Sequence, residues 1–381
     1  MPKIYLDYNA STPIAPDVAA AMREAMEDAY GNPSSGHWAG APARRIVEAA
    51  RSQVAELLGC ESHEVVFSSG GSEANNFALK GVFFRAKRPR PHFITTSVEH
   101  PAIMAPLHFL EHLGASVTWL PVDGTGRVDP DDLRHAITSD TILISVMHAN
   151  NEVGTIQPIA DCAAIAREHG IPFHTDAAQS VGKIPTRVDD LGVDLLTIAG
   201  HKLYAPKGVG ALYIRDGIDL EPLIHGAGHE SGRRAGTESA LLCAALGQAS
   251  VLARDLSPMH EVKALRDRFW TALQERFGKS VRLNGHAEHR LPNTLNISFV
   301  GRVGADILGA APELAASAGS ACHSGRIELS PVLEAMGVVP EVGMGAIRLS
   351  LGRNTTGDEV DAAILGLMSA VDRLPSASRA R

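Results

Sequence analysis

Cysteine is scarce in this chain, four in 381 residues, and Cys60, Cys162, Cys243 and Cys322 lie far apart with no CxxC. Neither a disulfide framework nor a structural zinc site is compatible with that spacing. His108 and His112 stand four apart in a helical pattern but have no third ligand nearby, so no metal site is expected. An excess of positive charge is also missing. The formal net charge is −8 and the pI about 6.1, which leaves no global basic field to hold nucleic acid or an anionic membrane. The single basic run, RAKRPRP at 85–91, reads as cations at a helix C-terminus leading into a loop. The opening MPKIYLDYNASTP contains no signal-peptide core, and nowhere does an apolar run reach membrane-spanning length. A cytoplasmic protein is the expectation, with neither nucleic acid nor membrane as partner. No internal repeat or low-complexity segment appears.

What is present is a chain of 40.3 kDa with 45% hydrophobic and 20% charged residues, enough to bury a large core in two or three domains. Helical patterns over 16–30 and 42–58 lead into the short strand VVFSS. Strands then recur at 92–97, 116–122, 141–148, 172–177, 194–199 and 210–215, with helical patterns between most of them. Strands apolar on both faces that alternate with helices predict an α/β fold, a mostly parallel sheet covered by helices. Two long helical patterns, 237–255 and 259–278, precede a change of rhythm, read as a smaller α+β C-terminal domain. The expected division is an arm at 1–15 that joins the small domain, a large domain at 16–255 and a small domain at 256–381.

Three segments at predicted strand ends carry chemistry. FSSGGSEANN (67–76) runs from strand to helix through Gly70, Gly71 and Ser72. Free amides and the helix dipole there make a phosphate cradle, although Ser72 and Glu73 could equally cap an ordinary turn. No GK[ST] follows, so it is not a P-loop. HTDAAQS (174–180) ends a strand with Asp176, which could be a buried acid or a cap. TIAGHKLYAPKG (197–208) places Lys202 just past a strand, where desolvation and neighbouring cations would suit a Schiff-base amine; by itself the position also fits a surface lysine. Together these are the parts that pyridoxal phosphate requires: a phosphate cradle, an acid opposite the pyridine nitrogen and a lysine for the aldehyde. An NAD site is excluded because GVGALY and GAGHES lack the third glycine and the strand–turn–helix context. Near the C-terminal end, SAGSACHSGRIE (317–328) holds Cys322 and His323 among small residues, unlike the apolar surroundings of a structural thiol.

The set LDYNASTP, GNPSS, FSSGGSEANN, SVEHPAI, HANNEVG, HTDAAQSVGK, GHKLYAPKGVGALYIR, GRRAGTES, LPNTLNISF, SAGSACHSG and IRLSLGRNTT resembles the NifS/IscS-type cysteine desulfurases, fold-type I pyridoxal phosphate enzymes. The resemblance covers nearly the whole chain in order. SVEH, HTDAAQ and ACHS look at least as much like the related selenocysteine lyases. By this resemblance Lys202 holds pyridoxal 5'-phosphate and moves the substrate α-proton, His100 stacks on the pyridine ring, Asp176 meets its nitrogen and Gln179 its phenolate. Gly71, Ser72 and His201 hold the phosphate, with Thr237 reaching in from the second subunit of a homodimer. Arg348, Asn151 and Asn9 bind the substrate, L-cysteine or L-selenocysteine. Cys322 takes the sulfur as a persulfide, its proton removed by His100 in preference to His323. Where some relatives have a phosphate-binding serine before GHK, this chain has Ala199, which removes one hydrogen bond, about 1 kcal/mol. SACHSGRIELSP has the character of the longer group I loop, which implies delivery to an acceptor protein such as a cluster scaffold. The tail after the last helix is short, so the partner contact made by longer tails in relatives is not expected here. A selenocysteine lyase, a class V aminotransferase and an inactive sulfur-assembly scaffold are the alternatives.

Overall fold

The computed structural model describes residues 3–323 and 326–374, and of residues 320–328 no side chains. A sheet of seven strands runs in the order Val65–Ser68, Gly210–Ile214, Leu195–Ala199, Phe173–Asp176, Thr141–Ser145, His92–Thr96, Ser116–Leu120. Every neighbouring pair is parallel except those made by Gly210–Ile214, which is antiparallel to both of its neighbours. Most of these strands are buried along their whole length, as expected where helices cover both faces. The core on one side joins Val47, Val54 and Leu58 of the helix Gly40–Leu58 to Phe173 and Tyr213; on the other, Phe77 and Leu107 lie in one cluster with Phe93. The strands begin and end within two residues of where the sequence pattern places them, except that the one expected at 141–148 ends at Ser145.

A second core forms around the helices Pro258–Phe277 and Gly357–Arg373, which lie in one cluster with an antiparallel sheet ordered Ser317–Ala318, Ala346–Ser350, Thr294–Phe299, Val281–Asn284. Thr356 and Glu359 form a reciprocal capping box at the start of the last helix. The N-terminal arm ties the two cores together. Ile4–Tyr5 pairs in parallel with Leu314–Ala315, Asp7 bridges to Ser350, and further on the amides of Thr12 and Ala15 donate to the carbonyls of His201 and Tyr204. The arm therefore passes Asp7 and Asn9 between the second sheet and the loop that follows Ala199. Among the described residues no helix is long and apolar enough to cross a membrane.

Candidate active site

Five loops that leave the carboxyl ends of the large sheet converge on one cavity of about 520 Å³, the position expected of a ligand site in an open α/β sheet. Gly71, Ser72, His100, Asn151, Asp176, Gln179, His201 and Lys202 all line it, joined by Asn9 from the arm and Arg348 from the second sheet.

The cradle forms where Val65–Ser68 turns through Gly70 into the helix Gly71–Arg85. Gly70 adopts φ 150°, open only to glycine at low cost, and a Cβ on the neighbouring Gly210 would lie 2.7 Å from the Gly70 Cα. The first helix-closing bond runs from the Ala74 amide to the Gly70 carbonyl, so the amides of Gly71, Ser72 and Glu73 come before it and face the helix N-terminus. Ala199 closes one side of the cradle: its Cβ would stand 3.2 Å from a Cβ placed on Gly71.

Asp176 is the last residue of its strand and is buried at 6% exposure. Asn75 Nδ2 donates to its Oδ2 at 2.7 Å and the Ala178 amide to its Oδ1 at 2.9 Å, so both oxygens are held. Lys202 Nζ donates to the carbonyls of Ala10 (2.7 Å) and Asn9. Burial, helped by the nearby Arg348 guanidinium and partly opposed by Asp7 and Asp176, pushes Lys202 down to about 8. His201 is pushed down to about 4 by burial and by the cations Lys202 and Lys207, and its buried Nδ1 has no partner among the described residues. His100 caps the helix Pro101–His112, its Nδ1 accepting from the Ala102 amide at 3.1 Å. The enclosing walls lower its pKa, with Asp176 acting in the other direction. Before it, Glu99 is buried and raised to about 8, chiefly by desolvation; it accepts from Thr96 Oγ1 and the Met147 amide.

Arg348 sits mid-strand opposite Asn296 and Ser317. Its Nη2 donates to Asp7 Oδ1 at 2.7 Å and Ser317 Oγ at 2.8 Å, its Nη1 donates to the Asn151 carbonyl at 3.0 Å, and its buried Nε has no partner among the described residues. The Asn9 side chain is fully engaged by protein: its Nδ2 donates to Thr294 Oγ1, and its Oδ1 accepts from Asn293. The Asn9 backbone carbonyl, in turn, accepts from Lys202 Nζ and Gln179 Nε2.

The comparisons agree with this geometry. The sequence profile described as aminotransferase class-V matches residues 4–363. The chain belongs to that family. A cysteine desulfurase IscS of Dictyoglomus turgidum is 46% identical over 381 residues, covering 99% of this chain and 96% of the relative. That of Methanosarcina thermophila is 43% identical, covering 98% and 93%. Among solved structures, a NifS-like protein has a TM-score of 0.91 at 35% identity, covering 98% of this chain and all of the other. SspA in complex with cysteine has 0.83 at 36%, covering 93% of this chain and all of the other. The expected fold, a class-V fold-type I architecture, and the family expectation both hold.

Family members use pyridoxal phosphate, and the residues present fit it. A ring of donors surrounds the cradle, a buried carboxylate is held on both oxygens, a lysine of lowered pKa faces them, and His201 Nδ1 lacks a partner. Thr237 is not brought to this cavity. It lines a smaller one with Ser68, Glu230 and Arg234, which meets the first at Ser69, Gly208 and Val209. The side chains of Cys322 and His323 lie outside the described residues; their backbone forms one strand of a hairpin, Ser320–His323 paired with Arg326–Leu329. Sequence reasoning missed Asn75, Asp7 and Lys183. Asn75 follows the cradle glycines within one quoted motif, but only the helix turn that aims it at Asp176 reveals its role.

Proposed function

We propose that this protein is a cysteine desulfurase that converts L-cysteine to L-alanine and leaves the sulfur as a persulfide on Cys322, for an acceptor in iron–sulfur cluster assembly or thio-modification. The convergence of Lys202, Asp176, His100 and Arg348 on one cavity, from two different sheets, carries the reading.

Gly71, Ser72 and His201 would hold the phosphate of pyridoxal phosphate, Asp176 its pyridine nitrogen, Gln179 its phenolate and Lys202 its aldehyde carbon. When bound, the group supplies an electron sink for charge that develops at the substrate Cα. Arg348, which lines the cavity with Asn151, orients the substrate by a charge-assisted pairing with its α-carboxylate. Lys202 Nζ takes the Cα proton; a pKa near 8 leaves part of it neutral at physiological pH. The Cys322 thiolate attacks the substrate sulfur, the Cβ–S bond breaks and its electron pair passes to carbon; one proton delivered at Cβ and the return of the Lys202 proton to Cα complete alanine. His100, in preference to His323, would remove the Cys322 proton, and the imidazolium so formed is the acid that can deliver a proton at Cβ.

A homodimer completes the proposal: Thr237 of a second subunit reaches the phosphate, and the exposed Tyr30 (75%) and Trp38 (80%) give a second copy apolar surface to cover. The division at 1–15, 16–255 and 256–381, the cytoplasmic location and a protein acceptor of sulfur belong to the same reading. Alanine formation from L-cysteine and L-selenocysteine, measured for the wild type and Cys322→Ala, tests it. Turnover of cysteine that vanishes in Cys322→Ala is expected. Turnover of selenocysteine alone would replace the proposal with a selenocysteine lyase, and alanine from neither substrate would end it.

A further inference from the structure

Lys183 is a buried lysine without a carboxylate partner among the described residues. Only 8% exposed, it donates from Nζ to the carbonyl of Gln179 at 2.9 Å and to Gln179 Oε1 at 3.2 Å. An uncompensated ammonium is costly to bury, so its retention here calls for a reason other than stability. The chain is shaped to place it. Gly182 adopts φ 73°, and a Cβ there would lie 2.6 Å from Leu203 Cδ1, so the turn from Gln179 to Lys183 presses directly against the residue after Lys202. The narrow cleft that Lys183 shares with Lys202, Tyr204 and Arg353 has room for about 10 Å³, a single water at most.

The chemistry of the two neighbours removes the usual ambiguity of a glutamine amide. The Asn9 carbonyl, which accepts from Gln179 Nε2 at 3.0 Å, can only accept, and Lys183 Nζ, charged or neutral, carries hydrogens to donate to Gln179 Oε1. Gln179 must therefore turn its oxygen to Lys183 and its nitrogen toward Asn9 and the cavity. A ligand atom that meets Gln179 in the cavity is then offered N–H, so it must be an acceptor such as an oxyanion.

We propose that Lys183 is a positioning residue that locks the Gln179 side chain with its N–H donor facing the cavity, and so secures the cofactor through Gln179. The inference rests on the cofactor reading above. Full-length apoprotein is loaded with pyridoxal phosphate, and its loss is followed by visible absorbance for wild type, Lys183→Met, Gln179→Leu and the double variant, with circular dichroism to confirm folding. Lys183→Met is expected to release the cofactor about fivefold faster, the equivalent of one hydrogen bond, with a displaced absorbance maximum. In the Gln179→Leu background the same change should add nothing, a coupling that a merely structural lysine would not produce. Should methionine prevent folding, Lys183→Leu replaces it in the same cycle. Equal effects in both backgrounds, or none in either, overturn the inference while leaving the cofactor reading intact; a wild type that takes up no pyridoxal phosphate overturns both.

Discussion

Replacing Lys183 by methionine should change how stability depends on pH in a way that can be worked out in advance. Burial, with Lys202 and Arg348 adding to the push, holds Lys183 down at about 7 in the folded chain, against 10.5 ordinarily. Between those values the unfolded chain carries a proton at this site that the folded chain lacks, so stability rises with pH; below about 7 both states are protonated and the penalty of burying the charge is fully present. One unmatched proton gives a slope of about 1.4 kcal/mol per pH unit, so this site contributes about 2 kcal/mol between roughly pH 7.5 and 9. Methionine keeps the length of the side chain and has no such slope. Lys202 adds its own slope above about 8 in both proteins, and it cancels in the comparison. Urea unfolding of the two apoproteins across that range should therefore show the variant gaining on the wild type as pH falls, by about 2 kcal/mol in all. Parallel pH profiles would refute the argument, because they would mean that Lys183 titrates alike in the folded and unfolded chains.

Asn75→Leu removes the 2.7 Å donor to Asp176 and leaves a buried carboxylate short of a partner, so cofactor affinity should fall about tenfold in an apoprotein titration. Ala199→Ser places a hydroxyl against the cradle beside Gly71, and cofactor dissociation should slow by about fivefold, as measured by loss of visible absorbance. Arg348→Lys keeps the charge but cannot span Asp7, Ser317 and Asn151 with one fork. The KM for L-cysteine should rise by roughly tenfold or more, with kcat changed less, in steady-state alanine formation.

Much of the site was legible in the sequence because each part lies at the end of a strand, visible where an apolar run stops, at glycine after Val65–Ser68 and Leu195–Ala199 and at Asp176 itself. Gly71 and Ser72, Asp176, and His201 with Lys202 follow three such ends, and all line the cavity. Arg348 was legible only through the family resemblance, since nothing local distinguishes an arginine in a strand. Asn9 shows the limit of residue identity. Its motif marks the position, but the amide is engaged by Thr294 and Asn293, and the group that faces Lys202 is its carbonyl.

The sequence by itself determined the order of strands and helices, the parallel sheet and the chemical types that meet the cofactor, because periodicity, glycine turns and strand-end residues are local properties of the chain. Only the tertiary structure decided which groups hold those residues in place. Asn75 reaches Asp176 across 101 positions and Asp7 reaches Arg348 across 341, pairings set by helix rotation and by the path of the arm. Lys183 is close to Gln179 in the chain, yet its burial without a counter-charge exists only once Leu203 and Ala253 close over the turn at Gly182. Desolvation belongs to the folded surroundings of a residue rather than to the residue, which is why the lowered pKa of Lys202 and the donor face of Gln179 had to wait for the fold.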